Sequence, residues 1–158
     1  MVFKSEKGLS DAELRAALEE YVDERMTQLA EQRRESGRDA GGRVRVLMLP
    51  PDFTRMYSGA GHITAMLTEI FAARAEEIEW DVMPALGTHV PMSREEGETV
   101  FEGRVDYEKL LVHNWRDDVV KIGEVPGEFV SEVSEGLVST PIDVEVNRRI
   151  VSGDYDLI

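Results

Sequence analysis

The feature of this sequence that most constrains its fold is a repeated order of strand-like and helix-like segments between residues 43 and 100. Residues 43–50 alternate in polarity and then become wholly apolar, which is typical of an interior strand, and residues 79–86 form a second strand-like run. Between them, apolar residues fill one helical face: Ile63, Met66, Leu67, Ile70 and Phe71. Ser93 and Glu96 form a capping box that begins a short helix. This order predicts an α/β fold with a Rossmann-like, mostly parallel sheet, right-handed crossovers and flanking helices.

An amphipathic segment precedes this pattern. Ser10 and Glu13 form another capping box, and the segment after it predicts a helix that runs to about Glu35. Its apolar residues recur at helical spacing: Leu14, Leu18, Val22, Met26 and Leu29. A polar, glycine-rich break follows over residues 36–42. We therefore expect an N-terminal helical extension over residues 1–42 and an α/β domain over residues 43–158, with the helix packed on the domain or on a partner.

The C-terminal part is predicted to be rich in strands. Short apolar or alternating segments are typical of strands at residues 110–113, 119–124, 129–133 and 137–146, with Pro141 at an edge or a bend. Residues 147–151 predict a helical turn, and residues 156–158 begin a further strand inside an apolar run. We therefore expect a truncated domain with an exposed sheet edge. Such edges recruit other chains, so a homo-oligomer is one of the expected assemblies.

Composition excludes several classes of protein. The 18 basic and 32 acidic residues give a net charge of −14, which argues against binding to nucleic acids or to anionic membranes. The absence of cysteine excludes disulfides, cysteine nucleophiles and thiolate metal sites. The first seven residues include charged side chains and no apolar core, so they resemble no signal peptide, and no apolar run approaches the ~20 residues of a spanning helix. These features predict an acidic cytoplasmic domain.

Polar side chains follow both strands of the predicted parallel sheet, where ligands bind in open α/β folds. Asp52, Thr54 and Arg55 follow the first strand, and Thr88 and His89 follow the second. Arg55 could grip a carboxylate with two hydrogen bonds, and His89 could move a proton near neutral pH. Asp52 could orient a polar cofactor group or Arg55 itself. The alternative is that Asp52 and Thr54 are turn and cap residues and that Arg55 is a surface charge.

The other histidines give weaker signals. His62 precedes a helix in a glycine-rich loop, where it fits a helix-entry residue. His113 lies beside Trp115 at the end of a short apolar segment, where it fits a buried histidine with a hydrogen-bond partner. The roles of both stay open at this point. The three histidines lack any local metal-binding spacing, so no metal ligand is assigned within the chain.

An ordered set of short motifs points to a family. The set comprises Asp52 to Arg55, Gly87 to Met92 and Val112 to Trp115, and stretches between residues 135 and 158 add to it. Together they resemble the N-terminal domain of the lactate racemase family, the 2-hydroxyacid racemases and epimerases that depend on a nickel pincer nucleotide. The resemblance covers roughly residues 43–158.

This resemblance implies a reaction. The cofactor takes a hydride from the carbon that bears the hydroxyl, a histidine takes the hydroxyl proton, and return of the hydride to either face inverts the centre. By resemblance His89 is catalytic, and Arg55 and Thr88 bind the substrate. The cofactor-binding residues implied in the same way are Asp52, Thr54 and Gly87.

The sequence also departs from the family pattern. Met56 stands where the family often has proline and Val90 where it often has arginine, which argues against lactate itself as the substrate. The second catalytic histidine, the lysine that carries the cofactor and the histidine that binds nickel have no counterpart in this chain. We therefore expect an N-terminal half that is inactive alone and requires a C-terminal domain or a second subunit. One alternative is a non-catalytic domain that binds a small carboxylate or a nucleotide at Arg55 and His89. Another is an interaction subunit that docks a partner through residues 10–35.

Overall fold

The computed structural model of the chain describes residues 8–37 and 41–158. In chain order the helices are α1 (Asp11–Glu35), α2 (Ala60–Ala72), α3 (Arg94–Val100), α4 (Gly127–Val133) and α5 (Arg148–Val151). The strands are β1 (Val44–Met48), β2 (Ile78–Val82), β3 (Val119–Val125) and β4 (Ile142–Asn147). Short 3-10 helices span Phe53–Ser58 and Tyr107–Lys109. None of the helices in the described part of the chain is long and apolar enough to cross a membrane.

The central sheet is parallel. β1 and β2 pair in register from Val44 opposite Ile78 to Met48 opposite Val82. Single parallel bridges extend this pairing on both sides, from Val46 to Leu157 and from Val82 to Leu110. The resulting order across the sheet is Leu157, β1, β2, Leu110, with helices packed against it. This arrangement confirms the predicted α/β fold with a parallel sheet flanked by helices.

The two predicted capping boxes are present and begin the helices that the sequence indicated. The Ser10 hydroxyl accepts a hydrogen bond from the Glu13 backbone N–H at the start of α1, and the Glu13 carboxylate accepts from the Ser10 N–H in return. Ser93 and Glu96 make the same reciprocal pair at α3. These bonds satisfy backbone donors that lack partners within the helix.

One hydrophobic core joins the sheet to the helices. The largest fully buried side chains are Phe101, Leu47 and Ile78, and each such side chain contributes about 1.5–3 kcal/mol of transfer free energy. Val22 of α1 is buried in the same cluster, with Leu18 and Met26 packed against it. The N-terminal helix therefore shares the core of the α/β domain.

The C-terminal part forms a separate antiparallel pair. β3 and β4 pair from Val119 opposite Asn147 to Val125 opposite Ile142, with an irregularity between Lys121 and Gly123. Both faces of this pair are largely exposed. The strand predicted at 119–124 is present, the strand predicted at 137–146 begins only at Ile142, and the helical turn predicted at 147–151 is α5.

The strand predicted at residues 129–133 is wrong, because these residues lie in α4. The apolar residues of this segment are Phe129, Val130 and Val133. Phe129 and Val133 are four residues apart and Val130 and Val133 are three apart, which fits a helical face as well as a strand. Pro126 occupies the N-cap of α4. At its other end Gly136 has a φ of 81° and donates its N–H to the Ser131 carbonyl at 2.8 Å, a left-handed ending that favours glycine.

Candidate active site

Pairing between the two central strands continues past their ends and brings two polar loops together. The Ala85 N–H donates to the Pro50 carbonyl at 2.7 Å, and Pro51 and Ala85 form a parallel bridge. Asp52 follows this bridge on one side and His89 follows on the other. The carboxyl end of the sheet is where the sequence predicted that the loops would meet.

Asp52 and His89, 37 residues apart in sequence, share a hydrogen bond of 2.6 Å between Oδ2 and Nδ1. The Asp52 side chain is 7% exposed, whereas that of His89 is 56% exposed. An ionised carboxylate only accepts hydrogen bonds, so Nδ1 of His89 carries the proton and donates it to Asp52. The neutral imidazole then keeps an unprotonated Nε2 that can accept a proton from a ligand.

Thr54 completes the environment of Asp52. The Asp52 Oδ1 accepts from the Thr54 backbone N–H at 3.1 Å and from the Thr54 hydroxyl at 2.6 Å. Burial raises the pKa of the Asp52 carboxyl, but the hydrogen bonds from Thr54 and His89 outweigh burial and hold that pKa below its usual range. Asp52 is therefore an ionised group that orients His89 and would stabilise its imidazolium form. The sequence predicted Asp52 as a partner of Arg55 or of a cofactor group, or else as a turn and cap residue. The cap is present, since Asp52 is the N-cap of the 3-10 helix Phe53–Ser58, whereas the pairing with His89 was not predicted.

Arg55 lies in the same turn as Asp52. Its backbone N–H donates to the Asp52 carbonyl at 3.0 Å, while its side chain is exposed. Within residues 8–37 and 41–158 the guanidinium makes no hydrogen bond or ion pair. It is therefore free to bind an anion from solvent, although no contact connects it to His89.

Gly87 and Thr88 line a groove of about 440 Å³ that also includes His113 and Asn147. Gly87 has a φ of 58°, a left-handed conformation that glycine adopts without steric cost, and the turn it makes leads directly into His89. His113 and Asn147 lie side by side in this lining, with Nδ1 of His113 and Nδ2 of Asn147 3.0 Å apart. The sequence did not define the role of His113 and gave no signal for Asn147 beyond its place, like that of His113, in the stretches that carry the family resemblance.

His62 is not part of this site. It lies in the first turn of α2, with its Nδ1 2.9 Å from the Glu102 carboxylate and its Nε2 3.2 Å from Asp11 Oδ1. The hydrogen bond with Glu102 raises the pKa of His62 above its usual value, and Asp11 adds to this effect. His62 therefore links α1, α2 and the segment after α3.

The structure also bears on metal binding. Across residues 8–37 and 41–158, no three histidine, aspartate or glutamate side chains come together as a group that could hold a metal ion.

Comparison with known proteins supports the fold. No protein-family model matches the chain, and no similar curated protein was found. A crystal structure of a Thermotoga maritima protein, solved by the Northeast Structural Genomics Consortium, is similar with a TM-score of 0.71 and 22% identity over 98% of this chain. The matched region is 34% of the Thermotoga protein, so this chain spans about a third of its length. At this identity the likeness shows the fold alone, and the resemblance to the lactate racemase family stays a prediction.

Proposed function

We propose that this chain carries the proton-transfer and carboxylate-binding residues of a 2-hydroxyacid racemase or epimerase similar to the lactate racemase family. The observation that carries the proposal is the hydrogen bond between Asp52 and His89. A buried, ionised carboxylate that accepts from Nδ1 of an exposed histidine is an arrangement used for general-base catalysis.

In this proposal His89 takes the hydroxyl proton of the substrate on Nε2. Asp52 holds the ring in the required tautomer and stabilises the positive charge that develops on it. Thr54 keeps Asp52 ionised through its two hydrogen bonds. A positioned base of this kind contributes about 10²- to 10⁴-fold to a rate.

Arg55 binds the substrate carboxylate. The chain has a net charge of −14, so an anionic substrate gains nothing from the overall field and needs a local cation. Arg55, three residues from Asp52, offers an exposed guanidinium that has no partner among residues 8–37 and 41–158. Thr88 lines the adjacent groove and contributes a hydroxyl to the same substrate.

The resemblance also implies a nickel pincer nucleotide near Asp52, Thr54 and Gly87. This chain has no counterpart of the lysine that carries that cofactor or of the histidine that binds its nickel, so the roles proposed for its own residues are proton transfer and carboxylate binding. We propose that a C-terminal domain or a second subunit supplies the remaining catalytic groups, and that the 158-residue chain alone does not racemise. We also propose a cytoplasmic location, since an acidic chain without cysteine lacks the disulfides typical of small secreted domains.

The proposal is tested by isothermal titration calorimetry, in which glycolate, lactate and 3-phenyllactate are each titrated into the 158-residue chain. At least one of these acids should bind. Arg55→Ala should lower the affinity for that acid about tenfold or more, since hydrogen bonds to charged groups contribute about 1.5–3 kcal/mol. Arg34→Ala, which removes an exposed arginine at the end of α1, is the control and should leave affinity unchanged.

The proposal would be overturned if none of the acids binds, or if Arg55→Ala leaves the affinity unchanged. Racemisation by the 158-residue chain alone would contradict the proposal that a C-terminal domain or a second subunit supplies the remaining catalytic groups. Arg55-dependent binding that yields no chemistry once the complementary domain is supplied would favour a non-catalytic carboxylate-binding module.

A further inference from the structure

The groove beside His89 has a shape and a lining that the proton-transfer site does not require. Its volume of about 440 Å³ is far more than a substrate methyl group needs and lies in the range of small-ligand pockets. Gly87 and Thr88 line it and immediately precede His89 in the chain. A substrate held at His89 therefore has this groove within reach of its side chain.

Asn147 sets the chemistry of another part of the lining. It is 3% exposed and caps α5, where its Oδ1 accepts from the Arg149 backbone N–H at 3.0 Å. That bond orients the amide, so the NH₂ group faces His113 and donates to its Nδ1 at 3.0 Å. A neutral imidazole whose Nδ1 accepts a hydrogen bond carries its proton on Nε2.

His113 and His89 are therefore held in opposite tautomers. His89 donates from Nδ1 to Asp52 and presents an acceptor at Nε2, whereas His113 accepts at Nδ1 and presents a donor at Nε2. The two imidazoles thus have complementary functions, His89 as a base and His113 as a hydrogen-bond donor.

The remaining lining indicates which ligand would use this donor. Most of the lining is apolar and includes Ile150 and Trp115, whose ring also stacks with the Arg116 guanidinium at 3.9 Å from its centroid. Aromatic rings pack well against apolar and aromatic side chains of this kind. The charged side chain among the lining residues is Glu145, which disfavours a second carboxylate on the ligand. The groove therefore suits an uncharged aromatic group with a hydrogen-bond acceptor.

We propose that this groove binds the side chain of the hydroxyacid, that this side chain is an uncharged aromatic group bearing an oxygen acceptor, and that His113 donates a hydrogen bond to that oxygen. This inference rests on the proposed function, since it places the carboxylate and hydroxyl of the same substrate at Arg55 and His89. Asn147 acts as a positioning residue, because it determines the tautomer of His113.

The first test concerns the tautomers and needs no ligand. Imidazole nitrogen chemical shifts, measured by NMR on isotopically labelled protein, should assign the proton of His113 to Nε2 and that of His89 to Nδ1. Asn147→Asp keeps a side chain that can cap α5 but turns the donor into an acceptor, so the His113 proton should move to Nδ1 while His89 is unchanged. A wild-type His113 with its proton on Nδ1 would overturn the inference.

The second test compares lactate, 3-phenyllactate and 3-(4-hydroxyphenyl)lactate as ligands of the 158-residue chain. We expect 3-phenyllactate to bind at least tenfold more tightly than lactate, and the phenolic compound to gain a further factor of about 3–10 from one hydrogen bond. Asn147→Asp should abolish that last gain and keep the preference for an aromatic group.

The outcomes separate the two proposals. If all three acids bind equally and all lose affinity in Arg55→Ala, the proposed function stands and the groove inference is overturned. If none binds, the proposed function fails together with the substrate assignment. A phenolic gain that survives Asn147→Asp would exclude His113 as the donor.

Discussion

Gly61, in the first turn of α2, lies directly against the backbone carbonyl of Val100 at the end of α3. A Cβ atom at position 61 would lie 2.0 Å from the Val100 oxygen and 2.9 Å from its carbonyl carbon. The two helices therefore touch through main-chain atoms. This contact fixes α3 and the buried Phe101 that follows it against the N-terminal end of α2.

Gly61→Ala should destabilise the fold, because the clash is with backbone and cannot be relieved by rotating a side chain. Overpacking of this kind costs about 1–3 kcal/mol. Urea denaturation should show a correspondingly lower free energy of unfolding. Gly123→Ala is the matched control, since an added Cβ there meets open space, and it should change the free energy of unfolding by less than about 0.5 kcal/mol.

Asp52→Asn should release His89 from its tautomer. An amide is a weaker acceptor than a carboxylate and also presents a donor, so the fraction of His89 with its proton on Nε2 should rise. NMR of the imidazole nitrogens measures this directly. Asp106→Asn is the control, because Asp106 makes a similar cap to the Glu108 backbone N–H without contacting a histidine. An unchanged His89 in Asp52→Asn would show that Asp52 does not control the ring.

Glu69 should make the fold sensitive to acid. Its hydrogen bonds with Arg104 and then Arg15 lower the pKa of the Glu69 carboxyl to about 2. Because the folded pKa lies below the unfolded value, this stabilisation is present above about pH 4.5 and is lost as the pH falls towards 2. The side chain is 40% exposed, so solvent screening limits the contribution to about 1 kcal/mol.

Glu69→Gln should therefore lower the free energy of unfolding at neutral pH and reduce its decline between pH 4.5 and pH 2. Denaturant unfolding at a series of pH values measures both effects. Glu19→Gln, on the exposed face of α1, should leave the curve unchanged. An acid decline of the same size in Glu69→Gln would assign it to other carboxylates.

His62 should act in the opposite pH direction. The pKa of His62 is raised by Glu102 and Asp11, so its stabilisation is complete below the unfolded pKa of about 6.5 and is lost as the pH rises through the higher folded value. Free energies of unfolding at pH 6 and pH 8.5 should therefore differ in the wild type. The difference should shrink in His62→Gln, and a difference that stays the same would point to another titrating group.

Local patterns predicted much of the secondary structure. The capping boxes at Ser10 and Ser93 mark α1 and α3 because a cap uses residues within one turn, and helical spacing places α2 for the same reason. The wrong strand prediction at α4 also arises from local pattern, because a segment as short as residues 129–133 is compatible with both the helical and the strand period. Sequence reasoning also placed Asp52 and His89 at the same edge of the sheet, because parallel strands bring their carboxyl ends together.

The sequence by itself determined the α/β order and the residue types available at the strand ends. Only the tertiary structure decided what those residues can do. Asp52 reaches His89 across 37 residues and Asn147 reaches His113 across 34, and each partner sets which ring nitrogen carries the proton. No local periodicity encodes these pairs, because they depend on how the ends of β1, β2 and β4 meet in three dimensions. The same residue type is therefore an acceptor in one loop and a donor in the other.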